Sequence, residues 1–361
     1  MKLRFARGRR ESLESLHPAY FALVMATGIV ALALHLHGVP FAPTILFWFN
    51  GLALIVLLSL LGLRIRRYPK TFLADFKSHR RGVGFFTLVA AVALFGSELV
   101  LQMRAVRLAV FLWAAAAILW LLVMYGVLAA LTTKAEKPSL AEGLNGGWLI
   151  SVVATQSVSI MTALMASEQS FAGAREPLMF AALALWLGGG ALYLWLTTLI
   201  FLRCAFMPMS PEDLSPTYWI NMGAVAISTL AGATLLSGAA LSTVVSTLAS
   251  FVAGFTMFFW AIASWWIPML FIWSIWRHLI RGVPFAYDPL YWGAVFPLGM
   301  YSVSTFRLAE ALRAPFLMPV SIAFMVVASA AWLVALAGLA GSLVDRAKLG
   351  APRLPWGKRA L

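Results

Sequence analysis

The sequence predicts an all-α integral membrane protein with ten transmembrane helices. Three observations predict it. Of the 361 residues, 62% are apolar and only 11% are charged, whereas soluble domains run at about 45–50% and roughly 25%; mean hydropathy is +0.90. Ten runs of mostly apolar residues reach the roughly 20 residues that cross a bilayer. The basic residues gather on alternate connections between those runs. A soluble fold of this size could not bury so much apolar surface, and disordered chains are poor in apolar residues. The net charge of +14 does not indicate nucleic acid as a partner, because the basic residues are dispersed in short clusters.

The spans follow one another in order. The first, 18–36, comes after the basic stretch Lys2 to Arg10. Its apolar run is too long for a secretory signal and no cleavage site follows His35-Leu36-His37, so it is expected to be retained. The second, 43–63, ends at Arg64, Arg66 and Arg67. The third, 83–102, follows Arg80 and Arg81. Next come 107–131, 146–166 and 178–202, the last ending at Arg203 and Cys204, a lone cysteine that reads as a small apolar residue near a helix end. The seventh is 217–237. The eighth, 244–276, is long enough to tilt or to run on past the bilayer. The ninth, 289–309, carries Pro297, and the tenth is 319–342. Short connections make successive spans antiparallel hairpins. The chain divides into a basic segment 1–16, a transmembrane domain 17–343 and a basic tail 344–361.

If the N-terminus is cytoplasmic and the sides alternate, 22 of the 27 Lys and Arg residues lie on the cytoplasmic side. That bias sets both termini in the cytoplasm of a cell-membrane protein and supports an even number of spans.

Ionisable residues inside a span are costly and functional; here they keep to span ends. Glu98, near the outer end of the third span, is read as interfacial and solvated in preference to a proton-coupling carboxylate. Arg307 and Glu310, three residues apart, are read as an ion pair at the outer rim. The five histidines lie at span ends or in loops. No metal site, cofactor or enzyme motif is evident. A non-conducting scaffold or a membrane enzyme is the alternative to a transport protein.

The odd-numbered spans carry small and hydroxyl residues: Thr27 and Gly28; Phe86 and Thr87; Thr155 and Ser157; Gly223 and Thr229; Gly299. Such residues serve close helix packing, or they line a narrow path without fixed charge, with the bulkier even spans facing lipid. The tryptophans of the eighth span spread beyond an interfacial belt, so some must pack against neighbours.

Four stretches resemble the tellurite-resistance/dicarboxylate transporter family, which includes malate permeases, sulfite efflux pumps and slow-type anion channels. They are His17-Pro18-Ala19-Tyr20-Phe21 running into Met25-Ala26-Thr27-Gly28; Gly147-Trp148 with Val152-Val153-Ala154-Thr155; Trp219-Ile220-Asn221-Met222-Gly223-Ala224; and Trp292 with Phe296-Pro297-Leu298-Gly299. The resemblance implies five helical hairpins in a quasi-fivefold array around a central pore, odd helices inside, and a homotrimer. It implies transport of a small anion, a C4-dicarboxylate such as malate or an inorganic anion such as sulfite, through each subunit. It also implies that Phe296, before Pro297, plugs the path as a gate. Read without it, Phe296 is one of 25 Phe residues and is read in preference as filling a helix interface.

Overall fold

The computed structural model describes residues 13–284 and 287–350. The outer parts of the two predicted basic terminal segments, 1–12 and 351–361, lie outside the described residues. The helices are α1 (Ala22–Leu36), α2 (Ala42–Arg67), α3 (Pro69–Phe76), α4 (Phe86–Leu101), α5 (Val106–Thr132), α6 (Leu140–Gly143), α7 (Ile150–Ser167), α8 (Arg175–Phe206), α9 (Ile220–Ser237), α10 (Thr243–Thr247), α11 (Ala249–Ile275), α12 (Trp292–Ala311) and α13 (Met318–Gly350). No strand occurs among the described residues. The predicted eighth span splits into α10 and α11, and the last helix runs past the predicted boundary at 343 to Gly350.

Burial separates two sets of helices. The spans containing α1, α4, α7 and α9 are 78% to 94% buried, whereas those containing α2, α5, α8, α11 and α13 are 22% to 39% buried. The second set meets lipid with side chains such as Phe111, Leu122, Trp195 and Val334. Among the described residues nine helices are long and apolar enough to cross a membrane. The predicted ninth span, α12, is not one of them. Its Pro, Gly, Ser, Thr and Tyr residues, with Arg307 and Glu310 near its end, lower its hydropathy. It is nonetheless 20 residues long, about 30 Å at a rise of 1.5 Å, and 15 of the 20 are buried. It packs against α1, α9, α11 and α13, so its apolarity need not match that of a lipid-facing helix.

The inner helices touch in a closed cycle, α1 to α4 to α7 to α9 to α12 and back to α1. Each outer helix is pinned to the next inner helix round that cycle. The Trp120 indole Nε1 of α5 donates to Thr155 Oγ1 of α7 at 2.9 Å, and Trp186 of α8 to the Ser228 carbonyl of α9 at 2.8 Å. Trp260 of α11 donates to Thr305 Oγ1 of α12 at 3.0 Å, and Trp332 of α13 to Thr27 Oγ1 of α1 at 3.0 Å. Between α2 and α4 the strut is Asn50 Nδ2 donating to Glu98 Oε1 at 2.9 Å. In hydrocarbon a lone indole N–H has no water to bond, so each strut removes an unsatisfied donor while joining two helices.

Candidate anion pathway

Each inner helix opens on a short 3₁₀ turn at the same face of the protein: Pro18–Phe21, Gly82–Phe85, Gly146–Leu149, Pro216–Trp219 and Pro289–Tyr291. Every turn starts with Pro or Gly. Proline suits a first turn, where its missing N–H is not needed. Glycine is required at 146, where any Cβ would collide with the backbone of Thr217 and Tyr218 in the neighbouring turn. The residue before the turn caps it in three cases. His17 Nδ1 accepts from Ala19 N at 3.1 Å, Asn145 Oδ1 from Gly147 N at 2.7 Å and Asp288 Oδ1 from Leu290 N at 2.8 Å. Burial, then the nearby Arg81, pushes the His17 imidazole down to about 4, so it is neutral at physiological pH and keeps its capping lone pair. The five turns also touch in a closed cycle.

That ring of turns surrounds a vestibule of about 380 Å³, lined among others by His17, Arg80, Arg81, Asn145, Arg203 and Asp213. The vestibule abuts a constriction of about 30 Å³, with Ala19, Ile150, Thr217 and Leu290 lining both. All five inner helices reach the constriction: Ala22 and Met25 of α1, Thr87 of α4, Ile150 and Val153 of α7, Ile220 of α9, and Gly293 and Phe296 of α12. Phe296 is 1% exposed. Behind it Pro297 sits against Gly223 of α9, where a Cβ would lie 2.8 Å from the proline ring.

The vestibule's charges are nearly balanced. Arg81 Nε meets Asp75 Oδ1 at 2.6 Å, Arg203 Nη2 meets Asp213 Oδ1 at 3.2 Å, and Arg203 also donates to the Tyr218 hydroxyl. Glu142 and Glu212 line the same space. What remains is the field of five inner-helix N-termini, each equivalent to roughly half a positive charge. Their convergence favours an anion without fixing it by a salt bridge.

Of the residues singled out in the sequence, the structure brings Thr87 and Phe296 to the constriction. Thr27 and Thr155 instead accept the struts from Trp332 and Trp120. Gly28 lies against Glu98 and Asn50, and a Cβ at Gly299 would lie 2.8 Å from Ile29 of α1. Ser157 and Thr229 donate to their own helix, to the Val153 and Val225 carbonyls at 2.8 Å and 2.9 Å. Phe86 is buried but lines neither space. Arg307 Nη1 meets Glu310 Oε2 at 2.8 Å, with both side chains partly exposed. Glu98 corrects the sequence reading: it is 2% exposed and inside the protein, because its side chain points back along α4 toward Gly28, not out to the interface. Sequence reasoning did not pick out Arg203 or Asn145, nor the repeat of a Pro- or Gly-led turn before each inner helix.

A helical protein with a lipid-facing shell and an inner ring of helices around a constriction is a multi-pass membrane protein of the transport class. The comparisons narrow this: residues 15–340 match the voltage-dependent anion channel (SLAC1) family, and the chain belongs to that family. It is 25% identical over 298 residues to an uncharacterised transporter of Methanocaldococcus jannaschii, covering 81% of this chain and 84% of that one. A second transporter of that organism is 23% identical over 308 residues, 84% and 86% of the two chains. An uncharacterised membrane protein of Mycobacterium tuberculosis is 43% identical over 126 residues, 34% of this chain, and the match spans 62% of that relative's length.

Proposed function

We propose that the chain moves small anions through each subunit of a homotrimer, along the axis of the inner ring, with Phe296 as the gate. Substrates are a C4-dicarboxylate such as malate or an inorganic anion such as sulfite. The basic face is cytoplasmic, the membrane is the cell's inner membrane, and both termini are inside; the 22 of 27 Lys and Arg residues on that side support this orientation.

The observation that carries the reading is the constriction to which all five inner helices contribute, directly below the vestibule, with the Phe296 ring against it. No charged side chain lines it. An aromatic ring there obstructs passage sterically, excludes water and presents an electron-rich face to an anion. The vestibule concentrates anions through helix dipoles and releases them because no fixed cation holds them in the narrow part. Purified protein in liposomes is expected to pass at least one of radiolabelled malate, sulfite, nitrate and chloride above protein-free vesicles, with the others competing according to size and charge. Failure with all four would leave the scaffold alternative.

A further inference from the structure

Of the five struts between outer and inner helices, four use a neutral indole N–H. The fifth places an ionisable group in the same role: Asn50 Nδ2 of α2 donates to Glu98 Oε1 of α4 at 2.9 Å. Both side chains are buried. The other two polar atoms of the pair, Glu98 Oε2 and Asn50 Oδ1, have no hydrogen-bond partner among the described residues. A carboxylate would leave both of these buried acceptor oxygens unsatisfied. One proton on Oε2 gives the pair a donor it otherwise lacks, so that the acid no longer adds a second bare acceptor to the amide oxygen.

Among the described residues no cation pairs with the carboxyl. The helices packed on α4 are α1, α2, α5 and α7, with the turns Pro18–Phe21 and Gly82–Phe85. From α1 comes Gly28, which lies against Glu98 Oε1 with no room for a Cβ. His35 and His37 are about two turns further on, and His37 Nε2 is engaged by Ser321 Oγ at 2.8 Å. From α2 comes Asn50; its Arg64, Arg66 and Arg67 are at the opposite end. Arg107 lies in the first turn of α5. Neither α7 nor the two turns contains a charged residue.

We infer that Glu98 and Asn50 form a proton-binding site, filled in the obstructed conformation and emptied when the passage opens. The route from the site to the passage, though not the site itself, rests on Phe296 as the obstruction. The physical link is short. Gly28 abuts the carboxyl, the next residue Ile29 packs on Gly299 of α12, and Gly299 is about one turn beyond Phe296. An ionised carboxyl must leave this joint for water, and the shift of α1 that frees it acts on the helix carrying the gate. On opening, the O–H bond of Glu98 breaks, its electron pair stays on Oε2, and the proton passes to water on the outer side. Glu98 is three residues from Leu101, the outer end of α4, and twelve from Phe86 at the other end. External acid therefore favours the obstructed state.

The test is chloride efflux from liposomes holding the full-length protein, with external pH stepped between about 5 and 8 and internal pH fixed. Wild-type flux is expected to fall on acidification, by up to about tenfold per pH unit for one linked proton. Glu98→Gln keeps an amide in place of the protonated acid, and its flux should stay at the wild-type acid level at every pH. Glu98→Gln with Phe296→Ala should recover high, pH-independent flux, which also shows that the first variant is folded. A Glu98→Gln profile that follows the wild type, or a wild type without pH dependence, would overturn the proton site. The gate is judged separately: if Phe296→Ala alone leaves flux unchanged while Glu98→Gln flattens the profile, the gate is wrong and the proton site stands.

Discussion

Replacing Phe296 with Ala should raise passive anion flux by on the order of tenfold or more, equivalent to taking about 1.4 kcal/mol off the barrier. The ring is 1% exposed and lies against the constriction that all five inner helices line. Removing it widens that space in place, because Pro297 behind it is backed by Gly223 and both hold the backbone. The same change removes buried apolar contacts, and Phe→Ala in a well-packed core costs roughly 3–5 kcal/mol of stability. Flux must therefore be compared for protein shown intact by size-exclusion chromatography. Phe296→Leu should fall between the two. An intact Phe296→Ala protein with unchanged or lower flux would make the ring a packing residue.

Asp75→Ala should destabilise the fold by about 3–5 kcal/mol, the cost of leaving a buried charge unpaired. Asp75, in the short helix α3, bridges two arginines: Arg64 Nη2 at 2.6 Å and Arg81 Nε at 2.6 Å. The Arg64 side chain is 1% exposed, and its Nε also donates to the Glu14 carbonyl at 3.0 Å. Arg81 in turn donates to the carbonyls of Ser15 and Leu16 at 3.2 Å. The cluster thus ties the segment leading into α1 to the end of α2 and to the turn before α4. Asp75→Asn keeps the shape but not the charge, and should lose less. Unfolding in detergent measures both; an Asp75→Ala protein as stable as the wild type would mean that Arg64 reaches solvent.

The membrane class, the hairpin order and the position of the spans were legible in the sequence because apolar length and basic flanks are local signals. The division into inner and outer helices was also visible, in the small and hydroxyl residues of the odd spans. The direction those residues face was not. Thr27 and Thr155 read as lining from composition, yet they turn away from the ring to accept Trp332 and Trp120. Each strut joins residues far apart in the chain, so no local pattern announces it. Glu98 failed for a related reason: counting along the span put it near an end, while the partner that draws it inward, Asn50, lies on another helix. The constriction drew one of its hydroxyls, Thr87, and its aromatic ring, Phe296, from the residues picked in the sequence. Arg203 was seen as a topology signal alone, and its contact with the vestibule depends on α8 reaching Asp213 and Tyr218.

On the proposed reading, the anion path runs inside the ring of α1, α4, α7, α9 and α12. It is tested most directly by plugging that path chemically. Thr217 lines both the vestibule and the constriction, and Cys204 is the one native cysteine. In a Cys204→Ser background, Thr217→Cys can be modified with a bulky, charged thiol reagent while flux is followed in liposomes. Stoichiometric modification is expected to stop flux, whereas the same adduct on Phe206→Cys, exposed at the end of α8, leaves it intact. Full modification at 217 with undiminished flux would place the path elsewhere and contradict the account.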